Sequence, residues 1–524
     1  MSLAVFVLFF LAYYFFHYTE LGDVTLFPNM FISFSFAGHS YSQIVAFGFT
    51  LVGALALLYG LQGAKAIEQL VALIAVISTI GIVFANDFIT LFLFWELLTI
   101  SASGLILLNS PQSKHVFSMG MRFLILHLMG GLLVLFGVLQ HYALTNSLAL
   151  VEPEAGLICF MLGFGIKTAF IPIHLWVVWG YPSASLFSSV VLAGLSTKAG
   201  VYAIARILPP DSNIVLMGAL MAIVGVACAL VQNNMRHLLS YHIISQVGYM
   251  VAGVGLGLFL STDGGLLHLV NHMLYKALLF MSAGVVLYST GTENVKELNS
   301  FNQESHHNQV QHKQVWKALP IATIGAVVGA LAISGAPLFN GYVSKSLLKE
   351  AFYGVEPAGT MLLIASIGTA TSFSKFIYLG FLRARTINFR PPTFSMQFSI
   401  LTVSLLCILL GIRPGLIAGI LPHGSSLSVY SSDGVLSALQ IVAVGIFVYG
   451  LIYKILLKGI PYVDHLSIEK NVILPIAGLF QVVTRYAGDR GGNIERNLNK
   501  DQIILASLLV IVLILIFITS ILGS

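Results

Sequence analysis

CFMLGFGIKTAF (residues 159–170) places one lysine, Lys167, within a run of apolar and small residues. Pro172 and His174 follow it in GIKTAFIPIHLW (165–176). A proline inside a helix removes a backbone hydrogen bond and opens the helix locally. A charge at the centre of a bilayer costs about 2.5–3.5 kcal/mol. The stretch therefore predicts a broken helix in which a functional charged side chain, Lys167, is held away from lipid.

The composition is typical of a protein that crosses a membrane many times. Of the 524 residues, 57% are hydrophobic and only 9% are charged, whereas soluble domains carry about 25% charged residues. The first apolar run (3–16) has no basic leader, so we expect a retained span and not a signal peptide. Cys159, Cys228 and Cys407 lie far apart in apolar runs and fit neither a disulfide framework nor a metal motif.

Apolar runs between polar breaks predict an all-α polytopic membrane protein with about 14–15 spans, since one span needs roughly 20 mostly apolar residues. The predicted ranges are 3–18, 42–61, 67–85, 88–108, 117–141, 156–179, 184–207, 214–232, 237–258, 263–289, 316–351, 358–382, 397–418, 436–457 and 502–523. The run 316–351 is too long for one straight span. Its Gly335, Pro337 and Gly341 predict a second broken helix.

The loop charges predict an orientation. When alternate loops are counted from the N-terminus, nearly all loop lysines and arginines fall on one side, the basic face. Only Arg206 and Arg413 lie on the opposite face. Because cytoplasmic loops carry the excess of basic residues, we predict a multi-pass protein of the cell (inner) membrane. Its N-terminus is expected in the cytoplasm and its C-terminus on the outer side.

Several charged side chains remain inside the predicted spans. The deepest of the lysines are Lys167, Lys198, Lys276 and Lys345. Glu96, in LFLFWELLTIS (91–101), is the clear mid-span carboxylate. Burial disfavours an ammonium group and a nearby carboxylate favours it, so a buried lysine with a movable acidic partner can gain and lose a proton. The set predicts a proton relay.

Lys349 and Lys375 lie nearer span ends, where long side chains reach the interface, and Lys375 is a secondary candidate.

The tenth predicted span adds histidines to this set. In HLVNHMLYKALLF (268–280), His268, His272 and Lys276 are spaced i, i+4 and i+8 and form one stripe of a helix. Histidine titrates near neutral pH and can pass protons along. Two histidines at this spacing can also bind zinc, but the HExxH pattern is absent, so we favour a proton stripe and expect no metal. His174, and His242 near a predicted inner edge, are secondary candidates.

These residues fall in a set of motifs with a known resemblance. The motifs are FWELLTIS (94–101), GFGIKTAFIPIHLW (163–176), LSTKAGVY (195–202), MRHLLSYHIISQVGYM (235–250), HLVNHMLYKALLFMSAG (268–284) and GAPLFNGYVSK (335–345). Over roughly residues 40–420, the chain resembles the antiporter-like proton-translocating subunits of respiratory complex I, membrane-bound hydrogenases and Mrp-type multisubunit Na+/H+ antiporters.

The resemblance implies roles for the buried residues. Glu96 looks like the glutamate that pairs with the first lysine, and Lys167 looks like that lysine on the first broken helix. The other implied members of the proton path are the bridging Lys198, the central His268, His272 and Lys276, and the terminal Lys345.

The family fold implies two inverted five-helix repeats, each containing a broken helix. We accordingly expect N-terminal spans (1–66), a first bundle (67–207), a second inverted bundle (208–383) and C-terminal spans (384–457). A cytoplasmic amphipathic or lateral segment (458–500) and a final span (501–524) complete the expected organisation. An ordinary cytoplasmic linker remains an alternative for residues 459–500.

The chain departs from the family pattern in two places. Glu96 comes early, as if one preceding helix were absent, and the segment 459–500 with its last span is an addition. GYPSASLF (180–187) resembles a stretch of the D-type Mrp branch, which favours Mrp-like relatives.

We therefore expect a subunit of a Mrp-type monovalent cation (Na+)/H+ antiporter that is not an enzyme. The expected partners are other membrane subunits, lipid and H+, with Na+ as a candidate second ion and no nucleic acid. The sequence lacks a Gly-rich nucleotide loop, a cysteine cluster and a flavin motif, so we expect no cofactor. The alternatives are a proton-pumping subunit of a complex I-like or hydrogenase complex, and a proton-conducting partner of an inorganic-carbon uptake enzyme. An autonomous transporter is a further alternative, and the buried lysines argue against a scaffold that conducts no ions.

Overall fold

The computed structural model describes residues 2–17, 23–26, 34–110, 113–304, 313–386, 389–423 and 429–458, and these residues are mostly helical. The segment 459–500 and the last predicted span lie outside them. The helices are α1 (Ser2–His17), α2 (Ser42–Gly60), α3 (Ala66–Phe84), α4 (Phe88–Leu107), α5 (Lys114–Thr145), α6 (Leu157–Thr168), α7 (Leu175–Ser183), α8 (Leu186–Ile207), α9 (Ser212–Val231), α10 (Met235–Leu256), α11 (Phe259–Thr290), α12 (Val295–Glu304), α13 (Val315–Ala318), α14 (Pro320–Ser334), α15 (Asn340–Ala351), α16 (Ala358–Ile377), α17 (Phe394–Ile412), α18 (Gly415–Ala418) and α19 (Ser432–Lys458).

Short strands and one π-helical turn complete the described elements. Strand β1 (Val24–Leu26) pairs antiparallel with β2 (Phe34–Phe36), and β3 (Lys313–Gln314) pairs antiparallel with β4 (Arg385–Thr386). The π-helical turn Tyr378–Leu382 continues α16. These strands lie in the connections between helices.

Ten of the described helices are long and apolar enough to cross a membrane. They are α2, α3, α4, α5, α8, α9, α11, α16 with its π-helical turn, α17 and α19. Helices α1, α6 and α14 are shorter apolar helices. Most predicted spans within the described residues coincide with one helix, whereas 156–179 coincides with α6 and α7, 316–351 with α13, α14 and α15, and 397–418 with α17 and α18. The all-α polytopic fold is confirmed, and the inverted repeats remain a prediction.

The helix pairs α6 with α7 and α14 with α15 lie in the predicted broken spans. Between α6 and α7, Ala169 has a φ of 63°, and between α14 and α15, Gly335 has a φ of 78°. A residue in this left-handed region ends a helix and costs little only for glycine. Pro172 and Pro337 follow these residues within the breaks. Both interruptions predicted from the sequence are present.

Side-chain hydrogen bonds hold the broken ends in place. The indole Nε1 of Trp176, on α7, donates to the backbone oxygen of Ile166 on α6 at 2.9 Å. At the second break, the Asn271 Nδ2 donates to the Asn340 oxygen at 2.9 Å, and the Asn340 Nδ2 donates to the Asn271 oxygen at 3.3 Å. The first bond ties α7 to the end of α6, and the reciprocal asparagine bonds tie the start of α15 to the middle of α11.

Helix α11 lies at the centre of the bundle. Its apolar window is 100% buried, and it packs on α2, α8, α10, α14, α15 and α17. In contrast, the window of α19 is only 11% buried and presents apolar side chains outward. Polar residues on α11 are therefore enclosed by protein.

A buried ion pair joins the helices at the basic face. The Arg236 guanidinium, on α10, donates to both carboxylate oxygens of Glu293 at 2.5 and 3.2 Å. It also donates to the Ala184 oxygen at 3.0 Å and the Ser189 Oγ at 3.2 Å. A bidentate arginine–carboxylate contact fixes geometry as well as charge, so this node ties the start of α8 to α10 and to the end of α11.

The close packing at the second break predicts that the free energy of unfolding depends strongly on Gly341. A Cβ on Gly341 would overlap the backbone oxygen of Ala332, on α14. We expect Gly341→Ala to lower the free energy of unfolding by about 1–3 kcal/mol, seen as a lower thermal melting temperature of the purified protein. Gly450→Ala is the control, because no described atom lies within 4 Å of a Cβ at that position. Equal melting temperatures for the two variants would contradict this packing.

Candidate functional site

Lys167 lies in the last turn of α6, where its side chain is buried against α4. Its Nζ donates to the backbone oxygen of Trp95 at 3.2 Å and to the Thr99 Oγ1 at 3.0 Å. The same nitrogen lies 4.4 Å from the centroid of the Trp95 ring. A helix C-terminus and an aromatic face both favour a cation. The site can therefore hold an ammonium group, yet its hydrogen-bond acceptors carry no charge.

Glu96 lies on the same helix as these acceptors, but its carboxylate is directed toward α5. A Cβ added to Gly131, on α5, would overlap a Glu96 carboxylate oxygen. Both carboxylate oxygens are buried and have no hydrogen-bond partner among the described residues. The described ion pairs do not include one between Glu96 and Lys167. The two side chains predicted to pair thus make no N···O contact within 4.0 Å in this conformation.

Lys198 lies in the middle of α8 and is fully buried. Its Nζ donates to the backbone oxygen of Ala193 on the same helix. Helix α8 packs against α6, which carries Lys167, and against α11. The fold thus puts Lys198 on a helix that contacts both the helix of Lys167 and the helix of the histidines.

His268 is the best-connected member of the stripe on α11. Its Nδ1 lies 2.9 Å from the Ser344 Oγ on α15, and its Nε2 lies 3.3 Å from the Gln246 Oε1 on α10. The Tyr275 hydroxyl lies 3.3 Å from the same Nε2. His268 therefore joins three helices through neutral polar groups that can change donor and acceptor roles.

His272 and Lys276 are buried without such support. Neither ring nitrogen of His272, nor the Lys276 Nζ, has a hydrogen-bond partner among the described residues. The His272 ring centroid lies 6.3 Å from that of His268. The Lys276 Nζ lies 6.0 Å from the ring centroids of both Phe280 and Phe373. Buried polar atoms are normally satisfied, so these three nitrogens are exceptions among the described residues.

Lys345 ends the row of lysines on α15. Its Nζ donates to the backbone oxygen of Ile333 at 2.7 Å and lies 5.1 Å from the centroid of the Tyr249 ring. Ile333 is in the last turn of α14, where the helix break leaves carbonyl oxygens without an intrahelical donor. The second break therefore supplies the group that binds Lys345.

The secondary candidates occupy different settings from those predicted. His174 lies at the start of α7 and is half-buried. His242 is not at an edge, because it is buried two turns into α10 with its Nε2 2.8 Å from the Ser372 Oγ. Lys375 does not reach outward. It is 1% exposed, and its Nζ donates to the backbone oxygens of Leu230 at 2.8 Å and Gln232 at 2.6 Å.

Sequence reasoning missed the neutral partners and one acid. Thr99, Gln246, Tyr275 and Ser344 resemble ordinary helix residues. Thr99, Gln246 and Ser344 acquire their contacts through a neighbouring helix, and Tyr275 contacts His268 two turns away on the same helix. The apolar pattern puts Asp263 at the very edge of a predicted span. Helix α11 starts earlier, at Phe259, and the Asp263 side chain is fully buried.

A chain of buried, protonatable side chains crossing a bundle with two broken helices defines an antiporter-like membrane subunit. A sequence profile of the family described as "NADH:quinone oxidoreductase/Mrp antiporter, TM" matches residues 85–373, more than half of the chain. The chain belongs to this family.

Individual relatives agree with this assignment. MJ1309, an uncharacterized protein of Methanocaldococcus jannaschii, is 27% identical over 412 residues, covering 72% of this chain and 82% of that protein. The D-type Na(+)/H(+) antiporter subunit of Alkalihalophilus pseudofirmus is 27% identical over 323 residues, covering 57% of this chain and 62% of that protein.

A solved structure shares the fold. One chain of the Mrp complex from Dietzia sp. DQ12-45-1b superimposes with a TM-score of 0.75 at 18% identity. The match covers 99% of this chain and 60% of that chain. This chain therefore spans less than two thirds of the Dietzia protein, and likewise of the Alkalihalophilus antiporter protein.

The contacts of Lys375 predict that it stabilises the fold. Lys375→Met removes the donor to two carbonyl oxygens at the end of α9. We expect a loss of about 1.5–3 kcal/mol in the free energy of unfolding, the usual range for hydrogen bonds to a charged group. Thermal melting of the purified protein measures it, with the exposed Lys65→Met as the control. A melting temperature equal to that of the control would show that these contacts do not hold α9.

Proposed function

We propose that the chain is the proton-translocating subunit of a multisubunit membrane complex that exchanges a monovalent cation, Na+, for H+. The observation that carries this proposal is the row of buried basic groups from α6 to α15. Five members are lysines or histidines with 0–1% exposure, namely Lys167, Lys198, His268, His272 and Lys276. Lys345 follows at the end of the row. Relatives in Mrp antiporters support the same reading.

The separation of Glu96 from Lys167 suggests how protonation is controlled. When the Glu96 carboxylate turns toward α6, its negative charge favours the ammonium form of Lys167. When it turns toward Gly131, as here, only the neutral oxygens of Trp95 and Thr99 face that nitrogen. The proton then becomes easier to release into the bundle. Rotation of one carboxylate thus alternates the lysine between holding and releasing a proton.

The released proton passes along the row of basic groups. The Lys198 Nζ has a single backbone acceptor on its own helix, and His272 and Lys276 have no described partner that would hold a proton in place. His268 can relay through the Ser344 side chain on α15, the helix that carries Lys345, and through the Gln246 side chain on α10. Charge repulsion among neighbouring ammonium groups ensures that protonation of one favours deprotonation of the next.

We infer that other membrane subunits of the complex complete the cation path. We also infer that the membrane is the cell membrane and that the basic face is cytoplasmic. The chain does no bond chemistry in this scheme. A proton-pumping role in a complex I-like assembly is the second candidate, favoured by the family description, which includes NADH:quinone oxidoreductase.

The proposal predicts that Lys167 is essential for exchange. The chain is expressed with its membrane partners in inverted vesicles, and collapse of a pH gradient is followed on addition of Na+, K+ or Li+. We expect Lys167→Ala to lower the exchange rate by at least about tenfold, which corresponds to about 1.4 kcal/mol. Lys65→Ala, an exposed lysine near the start of α3, is the control.

Normal exchange by Lys167→Ala would reduce this residue to a structural anchor. A wild-type complex that exchanges no cation, yet acidifies vesicles when an electron donor is supplied, would favour the redox-driven alternative. Assembly of each variant is checked by the yield of the intact complex.

If the Glu96 carboxylate moves during exchange, a substitution at Gly131 should slow exchange even though Gly131 carries no charge. Gly131→Ala removes the space that the Glu96 carboxylate occupies beside α5, so we expect exchange to fall about tenfold. Gly104→Ala on α4 is the control, because its Cβ would meet Val71 at an ordinary 3.4 Å. Exchange at the wild-type rate in both variants would show that this position of Glu96 is not used.

A further inference from the structure

A buried carboxylate lies where α11 begins, at the opposite face. Asp263 is fully buried, and its Oδ1 accepts a hydrogen bond of 2.8 Å from the Tyr41 hydroxyl. The His423 Nδ1 lies 3.5 Å from the same oxygen. The Oδ2 has no hydrogen-bond partner among the described residues. This cluster belongs to none of the residues implied in the proton path.

The two ends of the cluster differ in their access to solvent. The His423 side chain is 43% exposed, whereas the Asp263 side chain is 0% exposed. The His423 ring also packs on Phe259, with 4.4 Å between ring centroids. An imidazole that meets solvent is therefore held beside a carboxylate that does not. Such a pair can carry a proton between water and the interior.

A purely structural role explains the cluster poorly. A carboxylate that only anchors helices is stable when both oxygens are hydrogen-bonded, since an unsatisfied buried charge is costly. Burial and the hydrogen bond to Asp263 raise the pKa of the Tyr41 hydroxyl, so tyrosine remains the donor in this hydrogen bond. The Asp263 Oδ1 thus contacts both Tyr41 and His423, whereas its Oδ2 has no hydrogen-bond partner among the described residues.

Other titratable groups lie on the elements around this end of α11. The Arg206 guanidinium, on α8, donates to the Val83 oxygen at 3.3 Å and contacts His39. Burial and this guanidinium lower the pKa of His39 to about 4. The remaining titratable groups on the elements around α11 at this end are Tyr202 of α8, Tyr249 of α10, Tyr342, Lys345, Lys349 and Glu350 of α15, and Arg413 after α17.

The cluster lies close to the proton path along α11. His268 follows Asp263 by five residues, a rise of about 7.5 Å along the helix. Between them, a Cβ on Gly264 would meet the Leu347 Cβ at 3.2 Å, so this part of α11 lies directly against α15. Ser344, which contacts His268, is on that same helix.

We propose that Asp263 and His423 form the proton-exchange site between the end of the buried path and the solvent of the opposite face. This inference rests on the proposed function. In the outward direction, the Asp263 carboxyl gives up its proton and the His423 imidazole takes it, so an O–H bond breaks and an N–H bond forms. The imidazolium then releases the proton to water, and the reverse sequence loads the site.

Transport by the whole complex in inverted vesicles tests the site. We expect Asp263→Asn, which keeps the size of the side chain and an acceptor for Tyr41, to lower exchange by about tenfold or more, as loss of a proton-transfer group does. Asp263→Glu is expected to recover part of the rate. Glu350→Gln, an exposed carboxylate at the end of α15, is the control and should exchange normally.

His423 provides a readout that a structural defect would not mimic. We expect His423→Gln to change how the rate depends on the pH of the solution at the opposite face, and to leave its dependence on pH at the basic face unchanged. This surface variant decides the matter if Asp263→Asn fails to assemble.

Several results would overturn the inference and leave the proposed function standing. One is wild-type exchange by Asp263→Asn while Lys167→Ala is inactive. A second is an Asp263→Asn variant that changes only the Na+ concentration needed for half-maximal rate, which would make the cluster a cation site. A third is an unchanged pH profile in His423→Gln. If instead the wild-type complex moves no protons, the proposed function itself fails and this inference with it.

Discussion

The burial of ammonium groups in an apolar bundle is the constraint on which the rest of this structure depends. Removing a charge from water costs several kcal/mol even after the protein relaxes, and few carboxylates are available among the described helices to compensate. The lysines donate instead to backbone oxygens, those of Trp95 for Lys167, Ala193 for Lys198, Ile333 for Lys345, and Leu230 and Gln232 for Lys375. A neutral carbonyl binds an ammonium less strongly than a carboxylate does, so such a lysine is held without being locked in its charged form.

Several of the backbone oxygens that bind these lysines lie at the ends of helices. The last carbonyls of a helix have no intrahelical donor and carry the negative end of the helix dipole. Lys345 uses a carbonyl freed by the break after α14, and Lys375 uses two at the end of α9. The left-handed residues Ala169 and Gly335 end the first half of each broken helix. The breaks are thus part of the electrostatics of the path as well as of its shape.

Neutral side chains surround the centre of the proposed proton path. The His268 ring lies among the hydroxyl and amide groups of Ser344, Gln246 and Tyr275, which can exchange donor and acceptor roles. His272 and Lys276 have no described partner. A relay needs both kinds of place: sites that fix the orientation of a ring, and sites at which no partner holds the proton. Helix α11 contains both, and its complete burial keeps solvent from bypassing them.

Sequence patterns were enough to predict a bundle of membrane helices, the two broken spans, and the burial of Lys167, Lys198, His268, His272 and Lys276, but not the burial of His242 and Lys375. Long apolar runs, the prolines and the charges within those runs are local features, so they can be detected without a partner helix. Only the tertiary structure decided that Glu96 faces Gly131, that Lys375 binds the end of α9, and that Asp263 lies beside Tyr41 and His423. These contacts join residues distant in the chain, and no local pattern encodes them because they depend on how each helix is rotated against its neighbours.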